Sequence, residues 1–129
     1  MTEQPGAIQE AIESAIADNE VLLFMKGTPN MPACGFSART VAALQSLDAK
    51  FAAVDVLPDP RIRQELAALS QWPTIPQLFV RGELVGGCDI VTEMLESGEL
   101  AALLGVEQPA EIAPEPQVAG GVLGIENRL

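Results

Sequence analysis

The sequence predicts a single α/β domain built on a four-stranded mixed sheet flanked by helices. Three observations carry that prediction. Two apolar runs, Val21–Met25 and Phe51–Val56, are separated by a connection long enough to hold a helix. Such a pair reads as parallel strands with a right-handed crossover. Two further runs, Gln77–Val80 and Glu83–Val85, are separated only by Arg81-Gly82, a two-residue turn of hairpin type, so they pair antiparallel. The segments between the runs repeat their apolar residues at helical spacing. At 129 residues, 48% of them apolar, the chain is long enough to bury one packed core.

The elements follow in order. Ala7-Ile8, Ala11-Ile12 and Ala15-Ile16 recur every four residues, with Pro5 near the first turn and Asp18-Asn19 at the end. This predicts an amphipathic helix that covers one face of the sheet. Strand one spans 21–25. The loop 26–37 leads to a helix over Ala38–Leu47, and strand two spans 51–56. Pro58-Asp59-Pro60 breaks the chain before a third helix with Ile62, Leu66 and Leu69 on one stripe. Arg63 points off that stripe. Ser70–Pro73 closes this helix, Thr74-Ile75-Pro76 leads into strand three, and strand four ends at Gly86-Gly87. Cys88-Asp89 opens a helix to about Glu96. Ser97-Gly98 interrupts it, and a last helical turn or two runs from Glu99 to Leu104, stopped by Gly105. The order βαβ, α, ββ, α with an added first helix is thioredoxin-like. Residues 106–129, with Pro109, Pro114 and Pro116 among Glu107, Glu111 and Glu115, read as an acidic, mobile tail after a domain of residues 1–105. The end of the tail, 118–125, is more apolar.

Composition narrows the function. Eighteen acidic residues against seven basic ones give a net charge of −11. Nucleic acid and anionic membrane both need a basic face, so neither is an expected partner. The acidity also serves solubility alone. No apolar stretch approaches the ~20 residues that span a bilayer. The first residues lack an arginine-rich or hydrophobic leader, which fits a cytoplasmic protein. Two cysteines and no histidine exclude a structural zinc site within one chain.

The chemistry centres on Cys34. It falls where strand one hands over to a helix, and first-turn N–H groups and the helix dipole favour a thiolate there. Lys26 adds a positive charge if the loop folds back. The thiolate is both the nucleophile and the metal ligand. An inert buried cysteine is the plainer alternative. Gly35 leaves the sulfur open to a partner. Phe36 is either core or a lid on the site. Ser37 stands where a Cys-x-x-Cys motif has its second thiol, so a mixed disulfide formed at Cys34 must wait for an outside thiol. Ser37 can also satisfy a helix N-terminal donor. Cys88-Asp89, behind two glycines, is either a helix cap with a filler cysteine or an anion site. Lys26 and Arg63 suit a second anion. Together these groups suit a small peptide with one thiol and two carboxylates, which describes glutathione.

Lys26-Gly27-Thr28-Pro29-x-x-Pro32-x-Cys34-Gly35-Phe36-Ser37 resembles the signature of the monothiol, CGFS-type glutaredoxins. Trp72–Phe79 and Gly86-Gly87-Cys88-Asp89 match two further blocks of that family, in the right order. The resemblance covers about residues 5–105 and leaves the tail out. It implies the thioredoxin-like glutaredoxin fold, a cis peptide before Pro76, and glutathione held by Lys26, Arg63, Ile75, Cys88 and Asp89. A cis bond there turns the Ile75 backbone toward Cys34, where Thr74, Ile75 and Pro76 would meet an extended peptide, with Gly87 beside them.

Two functions of different class fit. In one, Cys34 takes glutathione from a glutathionylated protein and is freed by a second glutathione. In the other, Cys34 is a metal ligand. A [2Fe–2S] cluster needs four ligands; one Cys34 and one glutathione from each of two chains supply them, giving a cluster-bridged homodimer. The resemblance favours the second reading. It implies cluster delivery to apo iron–sulfur proteins, a BolA-type partner and weak oxidoreductase activity. An inert adaptor ranks last.

Overall fold

The computed structural model describes residues 6–107. The acidic tail, from residue 108 onward, and Pro5 lie outside the described residues. The elements are α1 (Ala7–Asp18), β1 (Val21–Met25), α2 (Gly35–Ser46), β2 (Ala52–Asp55), α3 (Pro60–Ser70), β3 (Gln77–Val80), β4 (Glu83–Gly86), α4 (Cys88–Ser97) and α5 (Glu99–Leu104). The sheet order is β2-β1-β3-β4. β1 runs parallel to β2, with Leu23 opposite Ala53. It runs antiparallel to β3, with Leu23 opposite Leu78. The hairpin from β3 to β4 turns on Arg81 (φ 49°) and Gly82 (φ 85°). Two positive φ values in succession are what a type I′ turn requires.

Alternation along the strands divides the core in two. Leu23, Met25, Leu78 and Val80 face Val41, Leu44 and Leu47 of the α2 region, Val91 of α4 and Leu100 of α5. Leu22, Phe24 and Phe79 face Ile12 of α1 and Leu66 of α3. Phe24 and Phe79 meet edge to face, with ring centroids 5.8 Å apart. Each fully buried Leu or Phe is worth roughly 1.5–3 kcal/mol of apolar transfer. β1 and β3 are covered on both faces, which explains the apolar runs Val21–Met25 and Leu78–Val80.

Three boundaries differ from the sequence reading. β2 is shorter by a residue at each end. α2 begins at Gly35, three residues early, because Cys34 itself caps it: its sulfur accepts the N–H of Ser37. Gly87, not Asp89, is the N-cap of α4, and Asp89 lies in the first turn. α3 starts as a proline-opened helix should. Asp59 accepts the N–H of Arg61 at 3.0 Å, and Pro60 takes the first position. Past α5, Val106 donates its N–H to Ala101 and packs against the core.

Candidate functional site

The site lies where β1 and β2 end. Asp55, opposite Met25, accepts the N–H of Gly27 at 2.9 Å and that of Leu57 at 3.0 Å on one carboxylate oxygen. It therefore ties both outgoing loops to one point. The loop 27–33 closes on itself. Thr28 and Met31 exchange two backbone hydrogen bonds, and Ala33 donates to the Lys26 carbonyl at 2.9 Å. Gly27 is required here. Its φ is +87°, and a Cβ would stand 2.5 Å from the Met31 carbonyl oxygen.

Cys34 is half-buried. Ser37 is wholly buried and bonds it twice, through its N–H at 3.3 Å and its hydroxyl at 3.4 Å. The same hydroxyl accepts the N–H of Lys26 at 3.1 Å. Ser37 thus fastens the loop entrance to the sulfur. Desolvation pushes the Cys34 thiol up. The Ser37 hydroxyl and N–H, the Phe36 N–H and the Lys26 charge outweigh it, and the net pKa lies below the ordinary thiol value. Ser37→Ala removes one of these bonds. Cys34 then reacts with an alkylating reagent along a curve that rises with pH, as any thiolate reaction does, but with its midpoint displaced upward from wild type. An unchanged midpoint would show that the hydroxyl does not set the thiolate.

Beside Cys34 opens a cleft of about 340 Å³. Lys26, Arg63, Thr74, Ile75, Pro76, Gly87, Cys88 and Asp89, proposed from sequence as one site, all line it. Cys34 is not in the lining. It stands next to it, two residues before Phe36, which is. Phe36 is 55% exposed, so it belongs to the mouth of the cleft and not to the core. The Ile75-Pro76 peptide is cis. Gln77, buried in β3, donates its side-chain amide to the carbonyls of Trp72 and Thr74 at 2.7 and 3.1 Å, which fixes this wall. Gly87 lets the wall close in: a Cβ there would stand 3.2 Å from the Pro76 carbonyl oxygen. Cys88 is buried, with its sulfur 3.9 Å from the Thr92 hydroxyl. Both cysteines are free.

Sequence reasoning did not place Trp72 and Ile90 in the cleft. Trp72 read as the close of a helix. Its position next to the Thr74–Pro76 wall was the available signal. Among the described residues, no group of three or more His, Cys, Asp or Glu stands close enough to hold a metal ion, and no helix is long and apolar enough to cross a membrane.

Comparison with known proteins agrees with this architecture. The family profile described as Glutaredoxin matches residues 21–85. Monothiol glutaredoxin-5, mitochondrial, from Saccharomyces cerevisiae is 52% identical over 113 residues, 85% of this chain and 74% of that protein. Among solved structures, a monomeric truncated mutant of Trypanosoma brucei 1-C-Grx1 superposes with a TM-score of 0.70 at 42% identity, covering 77% of this chain and 93% of that one. A buckwheat glutaredoxin–glutathione complex superposes at 0.67 with 25% identity, covering 77% and 87%. With its thioredoxin-like fold, its lone thiol on the turn into α2 and serine in the fourth position, the chain belongs to the glutaredoxin family, in its monothiol, CGFS-type branch.

Proposed function

We propose that this glutaredoxin binds and delivers [2Fe–2S] clusters. The observation that carries the reading is the donor set: one accessible thiol with a lowered pKa, beside a cleft and, among the described residues, in no group of three or more His, Cys, Asp or Glu that could hold a metal ion. One such thiol cannot satisfy a cluster that needs four ligands. Glutathione in the cleft supplies a second, and a twofold-related copy repeats the pair. The cargo is then held by a homodimer that exists only with cluster and glutathione. Ligands that are themselves exchangeable make it transferable.

The cleft fits glutathione group by group. Lys26 and Arg63 receive one carboxylate. The first N–H groups of α4, at Cys88 and Asp89, receive the other, and the exposed Asp89 side chain meets the adjoining ammonium. The Thr74, Ile75 and Pro76 wall pairs with the peptide backbone, and Gly87 keeps its floor low. The glutathione complex of the buckwheat relative supports this seat. The partners that follow are apo iron–sulfur proteins and a BolA-type protein. Two free thiols suit a reducing compartment, and we place the protein in the cytoplasm.

The lowered Cys34 pKa also favours a second reading, monothiol exchange. The Cys34 thiolate attacks the glutathione sulfur of a mixed disulfide, and the protein thiolate leaves and takes a proton from water. A second glutathione thiolate attacks the same sulfur, which gives oxidised glutathione and restores Cys34. Ser37 has no thiol to resolve the mixed disulfide, so release of Cys34 waits for that second glutathione.

The test of delivery is transfer. Holo protein mixed with an apo [2Fe–2S] ferredoxin loses its visible dichroism as the acceptor gains its own. A cluster that stays on the donor in the presence of excess apo acceptor would make it resident and not cargo. Removing residues 108–129, which leaves Val106 on the core, is expected to change neither the visible spectrum nor the transfer rate. Loss of the spectrum would place the tail in the site.

A further inference from the structure

Asp55 ends β2 and does not line the cleft. It is half-buried, and one of its carboxylate oxygens accepts the N–H of Gly27 at 2.9 Å and that of Leu57 at 3.0 Å. The first bond holds the peptide between Lys26 and Gly27. The carbonyl of that peptide accepts from Ala33 at 2.9 Å, so its plane is fixed at both polar atoms. The N–H of Lys26 itself donates to the Ser37 hydroxyl at 3.1 Å. The second bond holds the start of the connection to α3, which carries Arg63. One oxygen therefore joins the backbone that bears Lys26 to the backbone that leads to Arg63, and both of these side chains line the cleft.

The carboxylates at this end are each accounted for. Asp59 pairs with Arg61 at 2.7 Å. Asp89 stands in the first turn of α4, where the proposed function gives it the ligand's ammonium. Asp55 faces its two N–H groups. Among the described residues, neither Lys26 nor Arg63 is paired with a carboxylate. Like charges in one cleft repel, so their own interaction does not hold the two cations ready for a single anion. The backbone has to do so. Order that is already built into the free protein is not charged against the ligand when it binds.

We infer that Asp55 is a positioning residue for the carboxylate that Lys26 and Arg63 receive. By tying both connections to one oxygen it sets the spacing of the two cations, and so the preference of the cleft for a ligand with a charged glycine end. This rests on the proposed glutathione seat, in which the carboxylate without an adjoining ammonium, that of the glycine, goes to Lys26 and Arg63. The negative charge of Asp55 itself works against that carboxylate. Its contribution is therefore position and not charge, and the two are separable by substitution.

The full-length apo protein, with Cys34 reduced, is titrated with reduced glutathione and with glutathione whose glycine carboxylate is converted to the amide. Backbone NMR shifts give both Kd values. Wild type is expected to bind glutathione about tenfold more tightly than the amide, the size of one hydrogen bond to a charged group. Asp55→Ala lowers this preference to about twofold or less, because the two cations are no longer held in advance. Asp55→Asn removes the same charge but keeps an oxygen for both N–H groups, and it keeps the preference. Hydrogen exchange at Gly27 and Leu57 quickens in Asp55→Ala and not in Asp55→Asn. A preference that Asp55→Ala leaves intact would overturn the inference. So would an equal weakening of both ligands, the mark of a merely structural role, or a loss in Asp55→Asn as large as that in Asp55→Ala. Equal wild-type affinities for glutathione and its amide would instead contradict the seat of the glycine carboxylate, and the inference would fall with it.

Discussion

Cys34→Ser takes up no cluster when reconstituted with iron, sulfide and glutathione, and Cys88→Ser keeps most of it. The two thiols differ in every respect that matters to ligation. Cys34 caps α2 at the edge of the cleft, and three N–H or O–H donors and the Lys26 charge favour its thiolate. Serine in its place offers a hydroxyl that stays protonated at neutral pH. Cys88 is only 6% exposed, in the first turn of α4 on the cleft wall. In our reading its backbone N–H does the binding, and serine retains that group. Iron and sulfide content per chain, read with the visible absorption, measures both variants. Equal loading of the two would show the ligand assignment to be wrong.

Gly27→Ala has the next largest effect, and it acts on stability and site together. A non-glycine residue in the left-handed region costs roughly 1–2 kcal/mol. Here the added Cβ also falls 2.5 Å from the Met31 carbonyl oxygen and 2.6 Å from the Ala33 nitrogen. Both are backbone atoms, held by the Thr28–Met31 and Ala33–Lys26 hydrogen bonds, so neither yields without opening the loop. We expect the urea midpoint to fall by an amount equivalent to about 2 kcal/mol or more at unchanged slope. Glutathione affinity falls as well, because Lys26 is carried on the same loop. Gly35→Ala is the control. Its Cβ enters open space, so the apo protein unfolds at the wild-type midpoint. A wild-type midpoint for Gly27→Ala would remove the loop geometry from this account.

Much of the fold was legible because local signals agreed with one another. β1 and the Leu78–Val80 run of β3 are apolar because helices cover both faces, and Arg81-Gly82 supplies the two positive φ values of the turn. Most of the cleft-lining residues were legible in three short, contiguous motifs, and Arg63 from its place off the apolar stripe of α3. What was not legible is contact across sequence. Ser37 read as a helix donor's partner or the mark of a missing thiol; its hydroxyl joins Lys26, eleven residues earlier, to Cys34. Asp55 read as a strand residue, yet it holds Gly27 across a separation of 28. Gln77 read the same way, and its side chain points back to fasten the Trp72–Thr74 wall. The start of α2 was placed late because Gly35 resembles loop, and nothing local reveals that a cysteine sulfur caps the helix. In each case a side chain satisfies a backbone group, near or far in sequence, and no periodicity records that.

The central claim is that one chain supplies one cluster ligand and glutathione another. The measurement that reaches it most directly is reconstitution with iron and sulfide, with and without glutathione, with visible absorption and gel-filtration mass recorded on the same sample. The account predicts a coloured dimer only when glutathione is present, with two glutathione molecules per cluster and a colourless monomer otherwise. A colourless monomer under both conditions that still reduces glutathione mixed disulfides would contradict it and leave Cys34 as a nucleophile alone.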